Sequence, residues 1–167
     1  GRAAGSQTLP RTRPASGDSH TGVVSTPPLD QLELSDLIPY RTLTGQHPVA
    51  VMIGHLQVPG LTGTEPASLS AAAYQLLRSG GYGGPPFTGL IFTDDLSGMA
   101  AVTAQHTVPE AVLRALQAGA DVALWISTDA VPTVLDTLER AVEGKELPIA
   151  RVDEALARVL KAKTGCG

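Results

Sequence analysis

The 167-residue chain is long enough for one domain with a buried core, and 43% of its residues are hydrophobic, as is usual for globular proteins. Its net charge is −4 and its 12 lysines and arginines form no basic cluster, which argues against a nucleic acid or an anionic membrane surface as its partner. No apolar run approaches the roughly 18 residues that a membrane span needs, so no transmembrane segment is expected in this chain.

The first part of the chain predicts loop rather than regular structure. Residues 1–26 are rich in glycine, serine, threonine, proline and arginine and lack periodicity, which is typical of a flexible segment. Two prolines at 27 and 28 end this segment, and the leucines that follow predict a short, irregular helix with Pro39 near its end. We therefore divide the chain into a loop region, 1–26, and a folded region, 27–167.

The folded region alternates between apolar runs and amphipathic stretches. Strands are predicted at 49–53, 90–93 and 122–126. Ser68 or Ser70 can cap a helix over 71–78 that Gly80 ends. Thr107 and Glu110 have the spacing of a capping box at the start of another helix. Two more helices are predicted, one ending near residue 144 and one over 152–160.

This alternation predicts an α/β fold made of βαβ units, with a parallel sheet covered by helices on both faces. Arg78 and Arg114 lie on the predicted helices and are interpreted as solvated charges. Three strands are too few for a closed (β/α)8 barrel, which has eight strands and typically about 250 residues. Either further strands lie within the first 48 residues, or the rest of the sheet is supplied elsewhere.

A pair of carboxylates, Asp94 and Asp95, follows the apolar run 89–92 directly. The carboxyl ends of parallel strands are where α/β sheets and barrels place their catalytic residues. The same pair could instead cap the next helix, and the pair alone does not decide between the two. Of the two residues, Asp95 is expected to be structural, by accepting hydrogen bonds from backbone N–H groups of the turn.

Several blocks resemble the family 3 glycoside hydrolases, most closely their bacterial β-N-acetylglucosaminidase branch. Among them are Ser-Gly-Asp-Ser-His-Thr at 16–21, Gly-Leu-Ile-Phe-Thr-Asp-Asp-Leu-Ser at 89–97, and the stretches 50–55, 66–70, 76–78 and 115–121. They occur in the family's order between residues 16 and 163. The resemblance implies an α/β chain of about three βα units that forms the C-terminal part of a (β/α)8 TIM barrel.

The resemblance also implies the catalytic roles. Asp94 would be the nucleophile that forms a covalent glycosyl-enzyme, His20 the general acid/base, and Asp18 the group that orients His20, so that 1–26 contains the catalytic loop. This division of labour is chemically sound, because a histidine can both protonate a leaving group and deprotonate water near neutral pH. In an extended loop Asp18 and His20 point to the same side.

The predicted function is a retaining glycosidase that removes terminal β-linked N-acetylglucosamine, with peptidoglycan fragments as the expected source. One alternative is a phosphorylase, because a histidine acid/base does not repel a phosphate acceptor as a carboxylate would. Another is a non-catalytic barrel remnant or interaction module. No metal and no cofactor are expected, and Cys166 as the single cysteine can form neither an internal disulfide nor a thiolate metal site.

His55 follows the first predicted strand, where it could bind substrate at the mouth of the site or pack in the interior. The family branch has a Lys-His pair before the Asp-x-His loop, whereas the first lysine here is Lys145. We therefore expect this chain alone to be an incomplete catalytic domain, with the N-terminal half of the barrel as its partner. Both the bacterial cytoplasm and the cell envelope are compatible with this sequence.

Overall fold

The computed structural model describes residues 23–46 and 48–164, together with the backbone of residues 7–9. Three short strands are present within these ranges: β1 (Gln7–Leu9), β2 (Val51–Ile53) and β3 (Ile91–Thr93). Seven α-helices accompany them: α1 (Leu29–Leu34), α2 (Ile38–Gln46), α3 (Ala71–Ser79), α4 (Ala100–Thr103), α5 (Val108–Ala118), α6 (Val131–Glu143) and α7 (Ile149–Thr164). Short 3-10 turns at Ala67–Leu69 and Thr128–Ala130 precede α3 and α6.

The strands form a parallel sheet in the order β1-β2-β3, with Val51 opposite Ile91 in the β2–β3 register. Burial alternates along β2 and β3, because successive side chains point to opposite faces of a strand. Ile53, Ile91 and Thr93 are fully buried, whereas Phe92 on the other face is half-buried. The sheet thus has one densely covered face and a second, less covered face.

The strand β1 differs from the sequence-based expectation of loop throughout 1–26. Its backbone pairs in parallel with β2, with Gln7 opposite Val51. A three-residue strand can pair through its backbone without an apolar periodicity in its sequence, so the composition of residues 1–26 did not predict β1. This strand agrees instead with the alternative that further strands lie in the first 48 residues.

The third predicted strand, 122–126, is not a regular strand. It meets β3 through a single parallel bridge between Phe92 and Val122, and the Thr93 N–H donates to the Val122 carbonyl at 3.1 Å. Beyond this bridge, the Leu124 N–H donates to the Thr93 hydroxyl, at 2.9 Å, instead of to a main-chain carbonyl. Ile126 is 73% exposed, so the apolar run continues along an uncovered edge of the sheet.

Most helices begin and end at the residues that the sequence predicts. Gly80 ends α3 in the left-handed conformation, with φ 81°. At the start of α5 the Thr107 N–H donates to the Glu110 carboxylate at 3.0 Å, as a capping box requires. The prediction for Pro39 was wrong, since it is the second residue of α2 and not near the end of a helix. Proline is favoured in a first helical turn because the N–H that it lacks has no partner there.

Arg78 was predicted to be solvated but is largely buried. Its Nη2 lies 2.6 Å from the carboxylate of Asp121, and its Nη1 donates to the carbonyls of Phe87 and Gly89. Burial lowers the pKa of Arg78, an effect that the negative charge of Asp121 opposes. Arg114, by contrast, is half-exposed, in agreement with the prediction. In the part of the chain that the structure describes, no helix is long and apolar enough to cross a membrane.

Candidate active site

Asp94 lies immediately after β3, at the carboxyl end of the sheet. Its backbone N–H donates to the carbonyl of Ile53 at 2.9 Å, which extends the parallel ladder one step beyond the strands. The alternation along β3 places Asp94 on the face of Phe92, away from the buried side chains of Ile91 and Thr93. Asp94 is half-buried, so this residue at the end of the strand remains partly accessible to solvent.

The residues after Asp94 form a hydrogen-bonded turn, here called the Asp94 turn (residues 94–97). The Asp95 N–H donates to Oδ1 of Asp94 at 2.9 Å. The Asp95 carboxylate in turn accepts the Ser97 N–H at 2.8 Å and the Ser97 hydroxyl at 2.6 Å. Asp95 therefore stabilises the turn, as its position in the sequence suggested, and does not point its carboxylate away from the turn.

The Asp94 turn is also joined to the neighbouring segment 122–126. The Ile126 N–H donates to the Ser97 hydroxyl at 2.9 Å, and the Leu96 N–H donates to the Leu124 carbonyl at the same distance. The turn is therefore held by main-chain groups from the segments on both of its sides. Such bracing restricts the movement of the turn and of the Asp94 carboxylate that it carries.

The structure places His55 in the interior and not at an open mouth. His55 is only 2% exposed. Its Nδ1 lies 2.7 Å from the Ser68 hydroxyl and its Nε2 lies 2.8 Å from the carbonyl of Asp95. This placement favours the packed alternative over direct contact with substrate. Of the two predicted caps, Ser70 occupies the N-cap position of α3 but makes no side-chain capping hydrogen bond, whereas Ser68 lies in the 3-10 turn before it.

Asp18 and His20 lie outside the described residues. The chain that follows them is fixed near the carboxyl end of β2, where the Thr26 N–H donates to the Gln57 carbonyl and the Gln57 N–H donates to the Val24 carbonyl, each at 2.9 Å. The first described residues after the predicted loop therefore lie at the end of the sheet that carries Asp94.

Trp125, in the segment next to the Asp94 turn, is half-buried and packs against the hydrophobic core. Within residues 23–46 and 48–164, no group of three or more histidine, cysteine, aspartate or glutamate side chains converges in a way that could hold a metal ion. Ser68 was not identified as part of the site from the sequence. Its role depends on a contact with His55, 13 residues earlier in the chain, for which a local pattern carries no signal.

Comparison with protein families finds one match that covers most of the chain. Residues 13–162 match the glycosyl hydrolase family 3 N-terminal domain. A beta-hexosaminidase from Mycobacterium tuberculosis, LpqI, is 63% identical over 156 residues. That alignment covers 91% of this chain but only 40% of the relative, so the chain spans less than half the length of this curated relative.

Solved structures give the same result. A family 3 glycosyl hydrolase from Mycobacterium smegmatis superimposes with a TM-score of 0.92 at 63% identity, over 93% of this chain and 49% of that one. A family 3 β-N-acetylglucosaminidase from a Paenibacillus species superimposes with a TM-score of 0.85 at 28% identity, over 95% of this chain and 30% of that one. The arrangement of strands and helices described above is thus shared with much longer proteins.

Proposed function

Because this chain belongs to the glycosyl hydrolase family 3 N-terminal domain, we propose that it supplies the nucleophile and the acid/base of a β-N-acetylglucosaminidase. The expectation of a partial (β/α)8 barrel is confirmed by this membership and by the superposition on longer family structures. The proposal includes the remaining part of the barrel as a partner, since the matched relatives are more than twice as long.

The observation that carries the proposal is the position of Asp94. Its carboxylate stands at the end of β3, on the less covered face of the sheet, and its orientation is fixed through the Asp95 N–H. Retaining glycosidases need a carboxylate held close beneath the anomeric carbon, so that a covalent glycosyl-enzyme can form. A turn held from both sides meets that requirement of position.

In the proposed reaction, the Asp94 carboxylate attacks the anomeric carbon while His20 protonates the departing oxygen. The bond from sugar to aglycone breaks, and an ester between the sugar and Asp94 forms. His20 then removes a proton from water, which attacks the same carbon and releases Asp94. Asp18 orients His20 and stabilises its charged form. Terminal β-linked N-acetylglucosamine from peptidoglycan fragments is the proposed substrate.

The test is release of a chromophore from a β-N-acetylglucosaminide by the full gene product that contains this chain. We expect Asp94→Asn to lower kcat by at least about 10³-fold, because the amide cannot form the covalent ester. Asp153→Asn is the matched control, since Asp153 lies on the exposed side of α7, outside the proposed site. Undiminished activity in Asp94→Asn would overturn the assignment of the nucleophile.

The same assay separates the remaining hypotheses. Sugar 1-phosphate formed in the presence of phosphate would identify a phosphorylase. No turnover by the wild-type gene product with any β-N-acetylglucosaminide would favour the non-catalytic alternative. Covalent labelling of Asp94 by an activated fluorinated glycoside, located by peptide mass spectrometry, would support the proposed intermediate directly.

A further inference from the structure

We propose that His55 is a positioning residue, which holds the main chain of the Asp94 turn in place through the carbonyl of Asp95. This inference rests on the proposed function of Asp94. It assigns to the buried histidine a role other than substrate binding. Four groups are involved, and they come from three separate stretches of the chain: His55, Ser68 with Tyr74, and Asp95.

The hydrogen bonds determine the tautomer of His55. The Asp95 carbonyl can only accept a hydrogen bond, so Nε2 of His55 must carry a proton and donate it across 2.8 Å. In the neutral ring with this tautomer, Nδ1 accepts the Ser68 hydroxyl across 2.7 Å. The ring is thus fixed at both nitrogens.

Ser68 is itself held from two directions. Its N–H donates to the Gly54 carbonyl at 3.0 Å, and its carbonyl accepts the Tyr74 hydroxyl at 2.7 Å. Ser68 is 0% exposed and Tyr74 is 2% exposed, so water does not compete for these bonds. Tyr74 of α3 thus holds Ser68 in place, and Ser68 in turn orients the imidazole ring of His55.

The peptide groups of Asp95 connect this network to the nucleophile. The Asp95 N–H donates to Oδ1 of Asp94, while the Asp95 carbonyl accepts the proton of His55. Both main-chain polar groups of Asp95 are therefore occupied, one by the reacting carboxylate and the other by the buried ring. A shift of Asp95 moves the donor that orients Asp94, and a displacement of about 1 Å can lower the rate by roughly 10²-fold.

The test compares three substitutions in the full gene product. His55→Gln can keep an N–H near the position of Nε2, whereas His55→Asn places its amide near Nδ1 and loses the bond to Asp95. His55→Leu removes both polar contacts at similar volume. We expect kcat to fall about 10- to 100-fold in the Asn and Leu variants with KM changed less than about threefold, and His55→Gln to recover most of the loss.

Two further measurements separate positioning from general loss of stability. Val134→Ala, in the buried face of α6, should lower the melting temperature without lowering kcat, when assayed well below that temperature. Should the Leu variant not fold, Ser68→Ala removes the hydroxyl that orients the ring but leaves the donor to Asp95. It is expected to lower kcat by a smaller factor than His55→Asn.

Hydrogen exchange provides a readout that does not depend on activity. We expect the amides of residues 95–97 to exchange at least about tenfold faster in His55→Asn than in the wild type. If the wild-type protein has no glycosidase activity, the proposed function fails, and exchange still tests whether His55 holds the turn. Unchanged kcat in an active protein, or unchanged exchange at 95–97, would overturn the role of His55.

Discussion

Arg78 and Asp121 form an ion pair, with 2.6 Å between Nη2 and Oδ2, that joins the end of α3 to the segment leading into the last bridge of the sheet. Oδ2 also accepts the Ile91 N–H at 2.9 Å, at the first residue of β3. Oδ1 accepts hydrogen bonds from Arg151 and Arg158 of α7. A buried carboxylate thus connects two helices with the amino end of the sheet, opposite to the end that carries Asp94.

Asp121→Asn is expected to lower the free energy of unfolding by about 3–5 kcal/mol, because Arg78 loses its counter-charge and two further guanidinium groups keep only the exposed Glu154. Urea unfolding of the purified protein measures the change. Asp153→Asn, on the exposed side of α7, is the matched control and should change stability by less than about 0.5 kcal/mol. Equal stability of the two variants would contradict a structural role for Asp121.

Tyr74→Phe is expected to cost about 1 kcal/mol at neutral pH, because the carbonyl of Ser68 loses its hydroxyl donor. Burial raises the pKa of Tyr74, and the negative charge of Asp121 adds to this effect. The phenol of the unfolded chain ionises near pH 10. The stability that the neutral Tyr74 hydroxyl contributes is therefore fully present below pH 10 and is lost as the pH rises further.

The stability of the wild type should therefore fall more steeply than that of Tyr74→Phe between pH 10 and pH 11, by up to about 1.4 kcal/mol per pH unit. Urea unfolding of both proteins at pH 8, 10 and 11 measures this difference. Parallel loss of stability in the two proteins above pH 10 would show that Tyr74 ionises as readily in the folded state as in the unfolded state.

Gly80→Ala should be more destabilising than Gly63→Ala, although both glycines have positive φ, 81° and 62° respectively. A methyl group on Gly80 would lie 2.6 Å from the Gly84 carbonyl oxygen, whereas one on Gly63 would meet nothing within 4 Å. We expect about 1 kcal/mol for Gly63→Ala from backbone strain alone, and clearly more for Gly80→Ala. Thermal or urea unfolding of the pair checks the order, and equal losses would exclude crowding at Gly80.

The sequence predicts those elements whose signal is local. The apolar runs around Val51 and Ile91 are strands, Gly80 ends α3, and Glu110 closes a capping box. Each of these depends on burial of one short run or on a hydrogen bond within one turn. The resemblance of the residues around Asp94 to a known family likewise depends only on the order of neighbouring residues in the sequence.

The predictions fail where a distant partner determines the structure. The run 122–126 is apolar enough for a strand, but the hydroxyl of Thr93 accepts the hydrogen bond of the Leu124 N–H. The edge of the sheet beyond this point is uncovered. Arg78 stands at a helical position that the sequence pattern predicts to be exposed. Its ion pair with Asp121, 43 residues later, instead keeps it largely buried. The contact of His55 with Ser68 and Asp95 is equally invisible to spacing, since 40 residues separate the ring from the carbonyl that it binds.

The Asp94 turn is braced by groups that are made at different times during synthesis. Its support from Ile53 and His55 is synthesised before Asp94, whereas its support from Leu124 and Ile126 is synthesised some 30 residues later. A nascent chain that has just completed the turn therefore has the carboxylate but not its final geometry. The hydrogen bonds of the turn are therefore complete only after segment 122–126 has been synthesised and has packed against it.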